Sequence, residues 1–297
     1  MESLNELQGI IEGLAGSVGP KVVGVGQRWG VGSGIVIGPG QVLTNAHNLR
    51  GSEVAVVFAD GRVEQAGPKG VDVDGDIAVL AVDTGSVEPI EWASDGADGS
   101  KVSLGSPVFA MSNPGGRGLR VTFGLVSGTE RSFRGPRGRR IAGSIEHTAP
   151  LLPGSSGGPI VDGSGKLLGL NTNRLGEGFY LAIPADAAFR DRVAALAKGE
   201  TPVRPRLGVG IVPPHVARGL RRAVGLPEVD GLLVRSVEEE GRAAAAGIKE
   251  GDLIVEAGGR PTATVDALHE ALESANGSLE VQVVRGADRH TFTVSFK

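Results

Sequence analysis

The stretch Gly154-Ser155-Ser156-Gly157-Gly158-Pro159 decides the fold of this chain, because it places serine in a turn built from small residues. The apolar pair Ile160-Val161 follows, and then a second turn at Asp162-Gly163-Ser164-Gly165. This order predicts strand, turn and strand, with no helix directly after the serine. A serine hydroxyl is a poor nucleophile at neutral pH, so it needs a base and a third group that orients the base.

Two earlier segments supply these groups. His47 ends the segment Leu43-Thr44-Asn45-Ala46-His47, and Asp76 lies in Gly75-Asp76-Ile77-Ala78-Val79-Leu80. The chain order His, Asp, Ser is that of the chymotrypsin-type triad. We therefore expect His47 to take the proton of Ser156 as it attacks a peptide carbonyl, and Asp76 to hold the imidazole in the right tautomer.

A rival interpretation starts from the same turn. The pattern Gly154-x-Ser156-x-Gly158 also fits the nucleophile elbow of α/β-hydrolases, but that fold requires the order Ser, Asp or Glu, His and a helix after the serine. The histidines downstream of the turn lie in a stretch that is predicted to form a separate small domain: His215, His269 and His290.

Composition limits the class of protein. The chain has 297 residues, of which 40% are hydrophobic and 22% charged, which is typical of a soluble protein with two domains. Glycine accounts for 49 residues, more than double the usual share of about 7%, which indicates a turn-rich, largely β chain. A net charge of −4 argues against a general nucleic-acid binder. No Cys is present and the five His lack metal-ligand spacing, so we expect no disulfide and no metal.

The chain contains no sign of membrane insertion or export. No run approaches the roughly 18 apolar residues of a membrane span. The start Met1-Glu2-Ser3-Leu4-Asn5-Glu6 has no basic region and no apolar core, so it does not resemble a signal peptide. On that basis the chain as given is predicted to be cytoplasmic.

Periodicity predicts four segments. Residues 1–20 form a helical segment whose apolar face is Leu4, Leu7, Ile10, Ile11 and Leu14. Residues 21–198 contain short strands separated by Gly, Asn, Asp and Pro, which suggest a barrel or sandwich, and end in a helix from Ala185 to Lys198. Residues 199–206 form a linker with two prolines, and residues 207–297 form an α+β module.

The ordered set of motifs resembles the HtrA/Deg family of trypsin-like serine proteases. Besides the segments around His47, Asp76 and Ser156, the resemblance includes the following: Gly32-Ser33-Gly34, Gly169-Leu170-Asn171-Thr172, Phe179 to Pro184, Leu207-Gly208-Val209 and the PDZ-like signature Ala246 to Ile254. It implies a mostly β fold, a chymotrypsin-like double β-barrel protease domain followed by a small α+β PDZ domain. Ser155, Thr148 and Leu152 depart from the usual residues of the family, which bears on the geometry of the nucleophile loop.

The resemblance also implies a function. It is that of an ATP-independent serine endopeptidase for unfolded or damaged proteins, with no cofactor, which assembles as a homotrimer or a multiple of it and is often found in the cell envelope or periplasm. No Walker-type phosphate loop is present, so nucleotide is not implied. The alternative is a chaperone or scaffold whose protease domain is inactive or resting.

Further site residues follow from the architecture. The backbone N–H groups of Gly154 and Ser156 are the expected oxyanion hole. Ser155 is a rival nucleophile, but we favour Ser156 because Gly157-Gly158 follow it directly. The expected substrate pocket contains Pro150, Leu151, Leu152, Leu170, Asn171, Thr172 and Asn173. No carboxylate is placed there to pair with Lys or Arg, so we predict cleavage after small or medium aliphatic residues.

In the second domain, the turn Leu207-Gly208-Val209 is expected to capture the terminal carboxylate of a peptide, which then adds as a strand, with Arg206 contributing charge. The peptide is expected to pack against a helix from Val265 to Ser274. A module that only docks within the protein is the alternative.

Two basic clusters have less specific interpretations. The first cluster, between residues 131 and 140, is predicted to be a mobile hairpin loop, either solvated or acting as a sensor: Arg131, Arg134, Arg137, Arg139 and Arg140. The second cluster is predicted to be a solvated face: Arg218, Arg221 and Arg222.

Overall fold

A computed structural model describes residues 2–27, 30–93, 102–136, 138–176, 178–202, 204–212 and 214–296. The chain divides into two compact units, Met1–Pro202 and Val203–Lys297. The first unit contains two closed antiparallel barrels and the second a single antiparallel sheet with helices. The predicted fold class, mostly β with two barrels and a small α+β domain, is confirmed.

The first barrel has the strand order β1-β2-β3-β6-β5-β4 and closes through pairing of β1 with β4. Its interior is filled mainly by β-branched side chains, such as Val25, Val36 and Val56, which suit short pleated strands. The strands are β1 (Val22–Gln27), β2 (Gly30–Gly38), β3 (Gln41–Thr44), β4 (Val54–Val57), β5 (Val63–Asp72) and β6 (Ile77–Ala81).

The second barrel has the order β10-β11-β12-β9-β8-β7 and closes through pairing of β10 with β7. Val108, Val126 and Ile160 fill its interior. The strands are β7 (Pro107–Ser112), β8 (Arg120–Arg134), β9 (Arg140–His147), β10 (Pro159–Val161), β11 (Leu167–Gly176) and β12 (Phe179–Pro184).

A third apolar cluster joins the two barrels and two helices, α1 (Glu2–Ser17) and α2 (Ala187–Ala197). Helix α2 begins at the N-cap Asp186, whose carboxylate accepts the Phe189 N–H at 2.8 Å. Helix α1 turns Leu7, Ile11 and Leu14 toward this cluster, whereas Leu4 is 70% exposed. Most of the predicted apolar face of α1 therefore packs on the barrels of its own chain.

The second unit has the sheet order β13-β14-β15-β17-β18, with β16 paired to β15. Its core lies between the sheet and two of its helices, and includes Leu232, Ile254, Leu268 and Val281. Its elements are β13 (Val209–Val212), α3 (Pro214–Ala223), β14 (Leu232–Val237), α4 (Arg242–Ala246), β15 (Leu253–Ala257), β16 (Arg260–Pro261), α5 (Val265–Glu273), β17 (Ser278–Arg285) and β18 (Asp288–Ser295).

The structure corrects both interpretations of the basic clusters. Arg131 and Arg134 belong to β8 and Arg140 to β9, so the predicted loop is a long β-hairpin. Arg137 lies outside the described residues. In the second cluster Arg221 is only 3% exposed, because its guanidinium donates to the carbonyls of Pro227 and Gly286.

Within the described part of the chain, no helix combines the length and the apolar character that crossing a membrane requires.

Candidate active site

His47 and Asp76 form a pair on the first barrel. His47 lies in a short 3-10 turn that follows β3, and Asp76 directly precedes β6, the neighbour of β3. His47 Nδ1 lies 2.9 Å from both carboxylate oxygens of Asp76, and the His47 backbone N–H donates to Oδ1 at 3.1 Å. Asp76 is 2% exposed, whereas the His47 side chain is 39% exposed. The carboxylate is therefore sheltered and the imidazole faces an open space.

Thr172, on β11 of the second barrel, gives the Asp76 carboxylate a further hydrogen bond. Its hydroxyl donates to Asp76 Oδ2 at 2.7 Å. Asp76 adopts a positive φ of 55°, uncommon for a residue with a side chain, and the Asn45 side-chain amide donates to its carbonyl at 2.9 Å. These contacts fix the orientation of the carboxylate and hence of the imidazole.

Ser156 lies in the loop between β9 and β10, and the first barrel holds this loop. The Ser156 carbonyl accepts the Ser33 N–H at 2.8 Å and the Asn48 side-chain amide at 3.0 Å, and Ser33 Oγ donates to the Gly154 carbonyl at 2.9 Å. Gly157 has φ +87°, and a Cβ there would lie 2.1 Å from the Ser33 carbonyl oxygen. Only glycine fits this approach, which explains the small residue directly after Ser156.

The two serines of the loop have different surroundings. Ser155 is 2% exposed, and its hydroxyl donates to Ser112 Oγ at 3.1 Å inside the second barrel. Ser156 is partly exposed, although both serines are among the residues that line the cavity shared with His47. The Ser156 hydroxyl is therefore the more accessible of the two. It donates to the Thr172 carbonyl at 2.8 Å, and among the described residues no hydrogen bond joins it to the His47 ring.

Comparison with known proteins places this geometry in a family. A trypsin-like peptidase domain matches residues 32–170 and a PDZ domain matches residues 233–285. The protein HhoA of Synechocystis sp. is 34% identical over 282 residues, which cover 89% of this chain and 70% of HhoA. The serine endoprotease DegS of Escherichia coli is 30% identical over 275 residues, which cover 87% of this chain and 74% of DegS. The chain belongs to the HtrA/Deg family.

Structural similarity agrees with this assignment. The solved structure of the HtrA-type protease AlgW with tripeptide aligns with a TM-score of 0.59 and 25% identity, and the alignment covers 96% of both chains. Curated relatives are longer than this chain, which spans 55% of a DegP-like relative and 76% of a DegS relative. The chain is a serine endopeptidase of the HtrA/Deg family and includes a PDZ domain after the protease domain.

The predicted oxyanion donors of this HtrA-family site have no competing partner. The backbone N–H groups of Gly154 and Ser156 make no hydrogen bond to any described residue, whereas the intervening Ser155 N–H donates to the Leu152 carbonyl at 3.1 Å. Gly154 has φ +90°, a conformation that glycine adopts without strain. The two N–H groups are thus available to a ligand.

A cavity of about 430 Å³ is lined by His47, Asp76 and Ser156 and by most of the predicted pocket residues. Leu151, Leu152, Asn171, Thr172 and Asn173 line it. Two predicted members are corrected: Leu170 is fully buried in the core cluster between the barrels, and Pro150 is not part of the lining. Sequence reasoning also missed several lining residues: Phe133, Arg134, Arg174 and Tyr180.

His147 is a buried histidine that contacts two residues of the cavity lining, Asn171 and Tyr180. His147 Nε2 lies 2.9 Å from Asn171 Oδ1, and its ring stacks on Tyr180 with a centroid distance of 5.9 Å. Burial lowers the pKa of His147 to about 4, against the opposing effect of the Asn171 hydrogen bond. The histidine is therefore neutral at pH 7. No distinctive signal marks it in the sequence, because β9 also contains other polar residues: Arg140, Ser144 and Glu146.

The described residues contain no cluster of three or more His, Asp or Glu that could hold a metal ion.

The predicted peptide-binding turn of the PDZ domain has a mixed outcome. Gly208 has φ +76°, and the N–H groups of Leu207 and Gly208 make no hydrogen bond within the described residues. Leu207 as a whole is 3% exposed and its side chain belongs to the core, so it offers no side-chain contact to a peptide. Arg206 forms an ion pair with Glu238 at 2.9 Å, and both line a cavity of about 350 Å³ with Gly208.

Proposed function

We propose that the protein is an ATP-independent endopeptidase that cleaves unfolded or damaged proteins through His47, Asp76 and Ser156. The observation that carries this proposal is the His47–Asp76 pair, 2.9 Å apart, facing the cavity that Ser156 borders. Unfolded chains suit the site because an extended segment can enter a cavity that a folded surface cannot.

In the proposed reaction, Ser156 Oγ attacks a peptide carbonyl while His47 Nε2 accepts its proton and then passes the proton to the leaving amine. Asp76 holds Nδ1 and stabilises the imidazolium that forms. The N–H groups of Gly154 and Ser156 stabilise the oxyanion. An acyl-enzyme results, and water then hydrolyses it.

The resting position of the Ser156 hydroxyl favours a second candidate function. Because this hydroxyl donates to the Thr172 carbonyl and not to His47, the protein could hold substrates as a chaperone or scaffold until the hydroxyl rotates. Catalytic hydrogen bonds often form only in the substrate complex, so the same observation is compatible with an endopeptidase.

Digestion of casein without nucleotide separates the two functions. An endopeptidase cleaves casein, and a serine-reactive phosphonate abolishes the cleavage while labelling Ser156. A chaperone suppresses aggregation of a reduced client protein equally with and without the phosphonate, and leaves casein intact. Casein cleavage that persists after complete labelling would refute the assignment of Ser156.

We further propose that the PDZ domain binds peptides through their terminal carboxylate. The N–H groups of Leu207 and Gly208, which have no hydrogen-bond partner among the described residues, support this role. A related structure, AlgW, was solved with a tripeptide. A short added strand and one captured carboxylate offer limited surface, so micromolar affinity is expected. Fluorescence anisotropy should show much weaker binding of the same peptide with an amidated C-terminus. Equal binding of acid and amide would contradict carboxylate capture.

We also propose that the protein forms a homotrimer or a multiple of it, in keeping with its family. Leu4 of α1 and the β8 residues Phe123 and Leu125 are exposed apolar side chains that an assembly could cover. Light scattering tests this proposal, and a mass near the 30.3 kDa of one chain at working concentration would refute it.

A further inference from the structure

Positive charges outnumber negative ones among the described residues that line the active-site cavity. Asp76 is the only carboxylate among the described lining residues, and its oxygens already accept hydrogen bonds from His47 and Thr172. Two guanidinium groups, Arg134 and Arg174, line the same cavity. A substrate side chain that enters therefore meets positive charge without an available negative partner.

Of these two guanidinium groups, that of Arg174 is the more available to a substrate side chain. It lies on β11, two residues after Thr172, and its guanidinium stands 5.8 Å from the centroid of the Tyr180 ring. Its Nε donates to the Gly176 carbonyl at 2.8 Å, which orients the group, and its two Nη atoms make no hydrogen bond to the described residues. Among the described residues, no carboxylate lies within ion-pair distance of the Arg174 guanidinium.

A neighbouring arginine provides the contrast. Arg131, on β8, pairs with Glu146 at 3.1 Å, so its charge is compensated within the chain. Arg134 is held by the β-hairpin itself, since its Nη1 donates to the Gly138 carbonyl at 2.8 Å. Arg134 adds positive charge to the cavity lining. Of the two arginines, only Arg174 has both Nη atoms without a hydrogen bond to the described residues.

We propose that Arg174 is a specificity-determining residue that favours substrates with an acidic side chain beside the scissile bond. A guanidinium matches a carboxylate with two parallel hydrogen bonds, a geometry that an amide or an ammonium ion cannot reproduce. This inference rests on the proposed endopeptidase function. It revises the expectation of aliphatic selectivity and keeps the expectation that Lys and Arg are disfavoured.

The test uses quenched fluorescent peptides that are identical except for one residue. Glu, Gln or Lys is placed at each of the two positions that flank the cleaved bond, and cleavage sites are confirmed by mass spectrometry. We expect the Glu peptide to be cleaved with a kcat/KM about tenfold above that of the Gln peptide at low salt, mainly through KM, because the pair is partly exposed. High salt should reduce the difference.

Three variants sharpen the test. Arg174→Gln should remove the preference for Glu, and Arg174→Glu should turn it into a preference for Lys. Arg120→Glu changes the net charge equally at an exposed β8 residue outside the cavity lining, and should keep the preference for Glu. Binding of the same peptides to Ser156→Ala, followed by anisotropy, reads the preference without turnover.

The outcomes separate the two proposals. If Glu and Gln peptides are cleaved equally, in a manner that depends on Ser156, the role of Arg174 is refuted and the endopeptidase stands. If no substrate is cleaved but Ser156→Ala binds Glu peptides better, and Arg174→Gln abolishes this difference, the charge selection stands and the endopeptidase fails. Equal preference in wild type and Arg174→Glu would overturn the inference.

Discussion

The two barrels prepare their parts of the active site to different degrees. On the first barrel, the Asp76 carboxylate accepts the His47 ring, the His47 backbone N–H and the Thr172 hydroxyl, so the pair is already assembled. On the second barrel, the Ser156 hydroxyl is bonded to the Thr172 carbonyl and must turn toward His47. One neutral hydrogen bond is worth about 1 kcal/mol, so this turn costs little. This difference indicates that the predicted base, His47, is already oriented, whereas the hydroxyl of the predicted nucleophile, Ser156, must still rotate.

The largest expected effect tests which of the two serines is the nucleophile. Ser156→Ala should reduce kcat by about 10⁶, as in other triad knockouts, because it removes the hydroxyl that is proposed to attack the peptide carbonyl. Ser155→Ala is the matched control and should keep substantial activity, since its hydroxyl only contacts Ser112. Steady-state kinetics on casein or a peptide decide; an inactive Ser155→Ala with an active Ser156→Ala would reverse the assignment.

The next prediction concerns how acidic pH changes the stability of the second barrel through His147. The unfolded chain protonates His147 near its ordinary pKa of 6.5, whereas burial lowers the folded pKa to about 4. The unfolded state thus binds more protons in this interval, so the free energy of unfolding is highest above pH 6.5 and falls as the pH drops toward 4, by up to ~3 kcal/mol. Acid should weaken the second barrel through this residue.

His147→Gln tests this linkage, because glutamine can still donate to Asn171 but does not titrate. Urea unfolding between pH 4 and 8, in a Ser156→Ala background to prevent self-cleavage, should show a shallower acid decline for His147→Gln. Fluorescence reports the first unit, since both tryptophans of the chain, at positions 29 and 92, belong to it. The exposed His290→Gln is the control and should leave the decline unchanged. Identical pH dependence of the two variants would show that His147 does not cause it.

Substitution of Thr172, whose hydroxyl joins the second barrel to Asp76 on the first, should have the next largest effect. Thr172→Val removes the hydroxyl that donates to Asp76 while keeping the shape, and hydrogen bonds to charged groups contribute about 1.5–3 kcal/mol. Since about 1.4 kcal/mol of transition-state stabilisation corresponds to a factor of ten in rate, we expect a tenfold to hundredfold lower kcat with little change in KM. Thr172→Ser restores the donor and should recover most of the activity. If Thr172→Val is as active as wild type, the first barrel orients Asp76 without help.

The sequence predicted the part of the site that local motifs carry. His47, Asp76 and Ser156 each lie in a short segment with its own pattern, and the structure gathers them around one cavity. Thr172 could be expected only as a pocket wall, because its hydrogen bond to Asp76 spans 96 residues and depends on how the barrels pack.

The errors in the pocket arise from strand geometry. A β-strand alternates its faces, but the pairing of β11 with β12 shifts between Asn171 and Asn173, as in a β-bulge. Asn171, Thr172 and Asn173 therefore all line the cavity, whereas Leu170 enters the core. Arg174 and His147 were missed for a related reason, since the pairing of β12 with β9 and β11 brings both of them to Tyr180.

The smallest expected effect tests how firmly the first barrel holds the nucleophile loop. Asn48 donates its side-chain amide to the Ser156 carbonyl and to Thr44 Oγ1, both at 3.0 Å. The Ser33 N–H also donates to the Ser156 carbonyl, so Asn48→Ala leaves that oxygen with one partner. We expect a loss of about 1 kcal/mol, hence roughly a fivefold lower kcat. Asn48→Asp places a carboxylate where the carbonyl needs a donor, so it should be worse than Asn48→Ala. Kinetics with the same peptide distinguish the two variants, and wild-type kcat in both would show that the contacts of Ser33 suffice for the first barrel to hold the loop, without the Asn48 amide.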